Sequence, residues 1–117
     1  MILSAKETAG IDGGVARASA GTLGRFPISR SERPAKTLEA LKALGYRACA
    51  LDTRGSSRWD QVKLGERIVL VAGGEERGIR AGILDKCDVK VVLPMATGVE
   101  SLNVSVATGI LLFEWVR

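Results

Sequence analysis

Val99 to Gly109 reads VESLNVSVATG. Taken two residues at a time the stretch alternates, with Leu102, Val104 and Val106 on one side and Ser101, Asn103 and Ser105 on the other, as a half-buried strand does. The residues that follow, Ala107 to Arg117, are almost entirely apolar. A single strand from Ser101 to Val116 would be about three times the usual length of about 5 or 6 residues, so a polar loop running into a helix is the better reading. On a helical wheel Asn103, Glu114 and Arg117 share one stripe, with Ser105, Thr108 and Gly109 nearly opposite. Such an apolar helix is expected to be buried on most sides, its small stripe admitting another backbone and its N-terminus lying beside the loop Pro94 to Ser101.

Working back from this segment, three apolar runs read as strands: YRACALD (Tyr46 to Asp52), RIVLVAGG (Arg67 to Gly74) and VKVVLP (Val89 to Pro94), the last stopped by a proline. Helices alternate with them. Pro34 suits a first helical turn, Leu38, Leu41 and Leu44 recur at helical spacing, and Gly45 suits the stop, while RGIRAGILDKC (Arg77 to Cys87) reads as a short helix. Thr53 to Gln61 reads as a loop, Gly10 to Gly24 as a weak helix, and RFPIS (Arg25 to Ser29) as a short strand. This order predicts an α/β fold with a mostly parallel sheet flanked by helices.

The 117 residues suit one domain, and a hydrophobic fraction of 46% with a charged fraction of 26% is that of a globular protein. No secretory signal or membrane-length apolar run is visible, so a cytoplasmic location is expected and no membrane partner. There is no histidine, and Cys49 and Cys87 form no CxxC pair, so no metal site is expected and both thiols read as ordinary packed cysteines. Residues 1 to 58 carry 10 basic and 5 acidic groups, whereas 59 to 117 carry 7 and 8. Arg25, Arg30, Arg33 and Lys36 in the basic half could meet a phosphate backbone or serve solubility alone.

In a parallel α/β sheet ligands lie beyond the C-terminal strand ends. Three loops qualify: LDTRGS (Leu51 to Ser56), AGGEERG (Ala72 to Gly78) and LPMATGVESLN (Leu93 to Asn103). Neither a GxGxxG fingerprint nor a GKS/GKT phosphate loop is present. On the residues alone, the glycines fit tight strand-to-helix turns as well as a backbone-lined pocket.

The order and spacing of the loops add a resemblance. VLVAGGEERGI (Val69 to Ile79) followed by LPMATGVESLNVSVATGILLFE (Leu93 to Glu114) resembles motifs 2 and 3 of the SpoU (TrmH-like) RNA 2′-O-ribose methyltransferases of the SPOUT superfamily. Ala16 to Arg30 and Pro34 to Asp52 also resemble the family's middle segments, closest to the bacterial large-subunit rRNA guanosine 2′-O-methyltransferases. The resemblance implies a C-terminal deep trefoil knot, S-adenosyl-L-methionine as cofactor, an RNA substrate with rRNA ahead of tRNA, and a homodimer paired through terminal helices. By position Gly73, Leu93 and Leu102 would hold the cofactor through backbone groups, with Leu51, Asp52, Gly78 and Met95 around it. Glu75, Ser101 and Asn103 match the family's polar catalytic positions.

The chain departs from the pattern at Glu76, Thr97 and Gly24, and Glu76 is expected to narrow or acidify the pocket. The family's first motif, an Asn followed by Gly and Ala and then a helical Arg, has no match before SAKETAG (Ser4 to Gly10); Arg17 and Arg25 come after its place. Residues 1–117 therefore read as a SpoU-type domain lacking its first strand and helix. The chemistry needs oxygen, methyl carbon and sulfur aligned and a group to take the hydroxyl proton, with no metal. That last task belongs to the motif 1 Arg in the family's usual account, so turnover near background is expected of this chain alone. The alternative is a non-catalytic cofactor-binding or RNA-binding module on the same fold.

Overall fold

The computed structural model describes residues 1–6 and 10–117, which form two units, Met1–Thr37 and Leu38–Arg117. In the first unit strand β1 (Ile2–Ser4) pairs in parallel with β2 (Ser29–Ser31), Ile2 opposite Ser29. Between them helix α1 (Gly13–Ala18) is capped by Asp12, whose carboxylate accepts from the N–H groups of Gly14 and Val15 at 2.8 and 3.1 Å. The helix is shorter than expected because Ala20 and Gly21 take positive φ angles of 49° and 81°. A single 3-10 turn follows at Leu23–Arg25. The strand expected at Arg25 to Ser29 starts later, at Ser29, because Pro27 has no N–H to give a ladder. Within the SAKETAG stretch, Glu7 to Ala9 lie outside the described residues.

Helix α2 (Pro34–Ala43) starts in the first unit and ends in the second, and Gly45, at φ +88°, turns the chain out of it. The second unit then runs β3 (Arg47–Leu51), β4 (Ser57–Arg58), β5 (Ile68–Ala72), α3 (Ala81–Leu84), β6 (Val89–Val92) and α4 (Val104–Val116). Its four strands are all parallel, in the order β4-β6-β3-β5. The expected strands are found to within two residues, whereas β4 falls inside the expected loop Thr53 to Gln61, two residues being too few to carry a pattern. Successive residues of β3 face opposite sides of the sheet. Cys49 joins Leu64, Val91 and Leu111 in one apolar cluster, and Ala50 joins Ile79 and Leu84 in another. Asp88 pins the start of this sheet: one carboxylate oxygen accepts from the Ala48 N–H at 2.7 Å and the other pairs with Lys42 at 2.8 Å. Cys49 and Cys87 are free thiols; burial pushes Cys49 up to about 11 and Cys87 up as well.

The closing segment is a loop running into a helix, as its length required. The helix begins at Val104, and Asn103 is its N-cap, so Asn103 does not belong to the Glu114 and Arg117 stripe. Those two do pair, at 2.8 Å. The expectation of burial on most sides is not met within the chain. Ala107 and Leu111 are buried, while Val106, Leu112, Phe113 and Val116 are exposed, Phe113 at 72% and Val116 at 75%. Gly109 has open space where a side chain would be, so among the described residues no other backbone packs against it. Leu111 fastens α4 to the sheet at 1% exposure. Leu111→Ala is expected to cost about 2 to 5 kcal/mol, read as a lower urea midpoint with an unchanged slope.

Candidate functional site

The parallel register brings three loops to one level. Leu51, the last residue of β3, stands opposite Ala72, the last of β5, and opposite Val91, one residue before the end of β6. The chain therefore leaves all three strands side by side. Between these loops and the start of α4 lies a cleft of about 560 Å³. All ten residues singled out from sequence line it: Leu51, Asp52, Gly73, Glu75, Gly78, Leu93, Met95, Ser101, Leu102 and Asn103. Glu76 and Thr97 are exposed and do not line it, so Glu76 does not narrow the cleft as expected. Gly24 sits in the 3-10 turn of the other unit.

Each loop has a local reason for its shape. A side chain on Gly73 would lie 2.1 Å from the carbonyl carbon of Gly78 and 2.4 Å from the Ile79 nitrogen, so only glycine allows the loop to fold back on itself. Gly78, at φ +63°, returns its N–H to the Gly74 carbonyl at 3.0 Å. The glycines thus make a tight turn, and the same turn presents Glu75 to the cleft.

Asn103 joins two of the loops. Its side-chain oxygen accepts from the N–H groups of Ser105 and Val106 at 2.9 and 3.4 Å, capping α4, while its Nδ2 donates to Glu75 Oε1 at 3.0 Å. One side chain therefore fixes both the helix start and the carboxylate. Asn103 serves as a cap and as a partner of Glu75 at once, because an amide carries an acceptor and a donor in one plane.

On the β3 loop Asp52 is buried, and its carboxylate faces its own loop. It accepts from the Arg54 backbone N–H at 2.8 Å and from Arg54 Nε and Nη2 at 2.9 and 2.8 Å. The Arg54 guanidinium holds the Asp52 carboxyl down at about 2. Arg54 lines the cleft but was not singled out from sequence, where a charged residue in a loop reads as solvated. Its signal was the Asp-x-Arg spacing, which suits a two-point pair. Gly55 completes the turn, since a side chain there would lie 2.7 Å from the Val91 carbonyl carbon. Among the described residues no group of His, Cys, Asp and Glu is placed to hold a metal ion, and no helix is long and apolar enough to cross a membrane.

Asp52 and Asn103 each give a stability test. Asp52 is ionised more readily in the fold than in the unfolded chain, so its contribution is present above about pH 4 and lost as the pH falls towards 2. Asp52→Asn should cost about 1 to 2 kcal/mol at pH 7, given the exposure of Arg54, and the gap to the parent should close on acidification. Asn103→Ala should cost about 1 kcal/mol through the lost cap, whereas Asn103→Asp keeps the cap but sets a second carboxylate against Glu75, so it should recover only part of that loss in melting temperature, and more of it as the pH falls.

Comparison with known proteins agrees with this geometry. The SpoU rRNA Methylase family model matches residues 1–113. The chain is 36% identical over all 117 residues to an uncharacterized tRNA/rRNA methyltransferase of Archaeoglobus fulgidus, covering 52% of that protein. It is 38% identical over 101 residues, or 86% of its length, to an uncharacterized tRNA/rRNA methyltransferase of Mycobacterium tuberculosis, covering 31% of it. Among solved structures, the SpoU methyltransferase AviRb of Streptomyces viridochromogenes, in complex with the cofactor AdoMet, superposes with a TM-score of 0.89 at 25% identity over 99% of this chain and 46% of that one. The chain thus spans from under a third to about half of these relatives' lengths, and it belongs to the SpoU rRNA methylase family.

Proposed function

We propose that the chain carries the cofactor-binding and part of the catalytic surface of an S-adenosylmethionine-dependent RNA 2′-O-ribose methyltransferase. The observation that carries the reading is the convergence of the Asp52, Gly73 to Gly78 and Leu93 to Asn103 loops on one cleft at the strand ends. About 560 Å³ suits a nucleoside-bearing ligand, and the rim offers backbone groups at Gly73, Gly78 and Leu93 with apolar contacts from Leu51, Met95 and Leu102. When bound, S-adenosylmethionine supplies a methyl group activated by its sulfonium. The chain's own groups hold and orient. Glu75 Oε1 is fixed by Asn103, which leaves Oε2 to accept from a ribose hydroxyl, and Ser101 offers a further hydroxyl on the same side.

An RNA substrate is supported by the family and by the exposed Arg25, Arg30, Arg33 and Lys36; rRNA is preferred on the family's description. The C-terminal knot of the family remains part of the reading, as does a cytoplasmic setting. A homodimer is supported by the unpartnered apolar face of α4, where Val106, Leu112, Phe113 and Val116 lie exposed.

Titration calorimetry with S-adenosylhomocysteine should give saturable heat; none, from a folded protein, overturns the cofactor reading. In methyl transfer from tritiated donor to rRNA, the labelled linkage should resist alkaline cleavage, because a 2′-O-methyl group removes the nucleophile. Label in alkali-sensitive linkages would place the methyl on a base instead. Sedimentation at micromolar concentration should show a dimer.

A further inference from the structure

Besides Glu75 and Asn103, the cleft has a second ordered polar pair. Asp52 and Arg54 meet through two parallel hydrogen bonds, with Asp52 side-chain exposure at 6% and that of Arg54 at 70%. A buried carboxylate thus holds an exposed guanidinium in one orientation at the edge of the site. Nε and one N–H of Nη2 are used on Asp52, and Nη1 keeps both of its N–H groups without a partner among the described residues. A guanidinium has five donors in a fixed plane, so those left over form a fork ready for two oxygens of one anion.

Resting on the reading of the cleft given above, we propose that Arg54, oriented by Asp52, is an RNA-binding residue that takes a backbone phosphate next to the target ribose. Asp52 is then a positioning residue that acts through Arg54. Two features favour phosphate over the cofactor's carboxylate. The Arg54 guanidinium is largely exposed and open to a polymer in solvent, whereas Gly73 and Leu93, which offer backbone groups suited to the cofactor, are half-buried and buried. Holding a long side chain in advance also lowers the ordering cost of contact, which matters most for a flexible single strand.

The chain contains its own control. Arg58 and Asp60 make the same two-point pair, at 3.0 and 2.9 Å, but Arg58 does not line the cleft. Removing either arginine changes the net charge equally and both are oriented by a carboxylate, so their place relative to the cleft separates them.

The test is fluorescence anisotropy with a labelled single-stranded RNA of about 12 nucleotides between roughly 25 and 200 mM KCl, beside calorimetry with S-adenosylhomocysteine. Arg54→Ala should weaken RNA binding about fivefold to tenfold and lower the salt slope by about 0.7, the value of one single-strand phosphate contact. S-adenosylhomocysteine affinity should fall much less. Arg58→Ala should weaken RNA binding by less than about twofold. Arg54→Lys keeps the charge without the fork and should recover only part of the loss; it carries the test if Arg54→Ala does not fold. Equal losses in Arg54→Ala and Arg58→Ala, or full recovery by Arg54→Lys, would reduce Arg54 to bulk charge and overturn the proposal. An equal loss of S-adenosylhomocysteine affinity would assign Arg54 to the cofactor and overturn it too. If the parent chain binds S-adenosylhomocysteine but no RNA, the proposal falls while the cofactor site stands; if it binds neither, the reading of the cleft falls with it.

Discussion

Leu51 stands across from Ala72 on one side and from Val91 on the other, and the second unit depends on this register. Parallel pairing is set by a run of backbone hydrogen bonds, and a slip of one residue would turn every side chain of β3 to the opposite face. Cys49 and Ala50, which belong to different apolar clusters, would then exchange places, with neither cluster able to accept the other's shape. The register therefore secures two cores and the alignment of three loops at once. The cleft's position is thus a consequence of the sheet.

What closes the cleft is a small number of side chains that satisfy two neighbours each. Asn103 caps α4 and holds Glu75; Asp52 fixes its own turn and holds Arg54. Both arrangements draw on groups whose donors and acceptors lie in one plane, so orienting one partner orients the other. The backbone contributes where side chains would not fit. Gly73 passes so close to Gly78 and Ile79, and Gly55 so close to Val91, that a methyl group at either point would force the turn open.

Strands β3, β5 and β6 were legible because each is a short, mostly apolar run, β5 ended by glycines and β6 by a proline, as the strands of a parallel sheet covered on both faces tend to be. Strands β1 and β4, with three and two residues, are too short for an alternation to repeat. The type of α4 followed from its length, and its start was missed only because Asn103 fits both a strand alternation and a cap. Its burial was misjudged, since apolar composition tells that a face is covered by something and not by what. The ten cleft residues came from loop position together with a family resemblance; neither composition nor periodicity marks them. Arg54 escaped because its orientation depends on the burial of Asp52, which the Asp-x-Arg spacing alone does not report.

The two thiols divide the breathing of the second unit into two separate clocks. Cys49 lies in the middle of the central strand with no exposed surface, and burial raises it to about 11, so it reacts with an alkylating reagent only when the sheet itself opens. Cys87 is half-buried, with its sulfur against the Ile83 carbonyl at 3.4 Å at the end of α3. A four-residue helix frays far more often than a four-stranded ladder parts. The labelling rate of Cys87 reports local loosening of α3, the helix that follows the Gly73 to Gly78 turn, and that of Cys49 the loss of the whole sheet. Comparing the two would show whether a ligand in the cleft quiets only its surrounding loops or raises the stability of the entire unit.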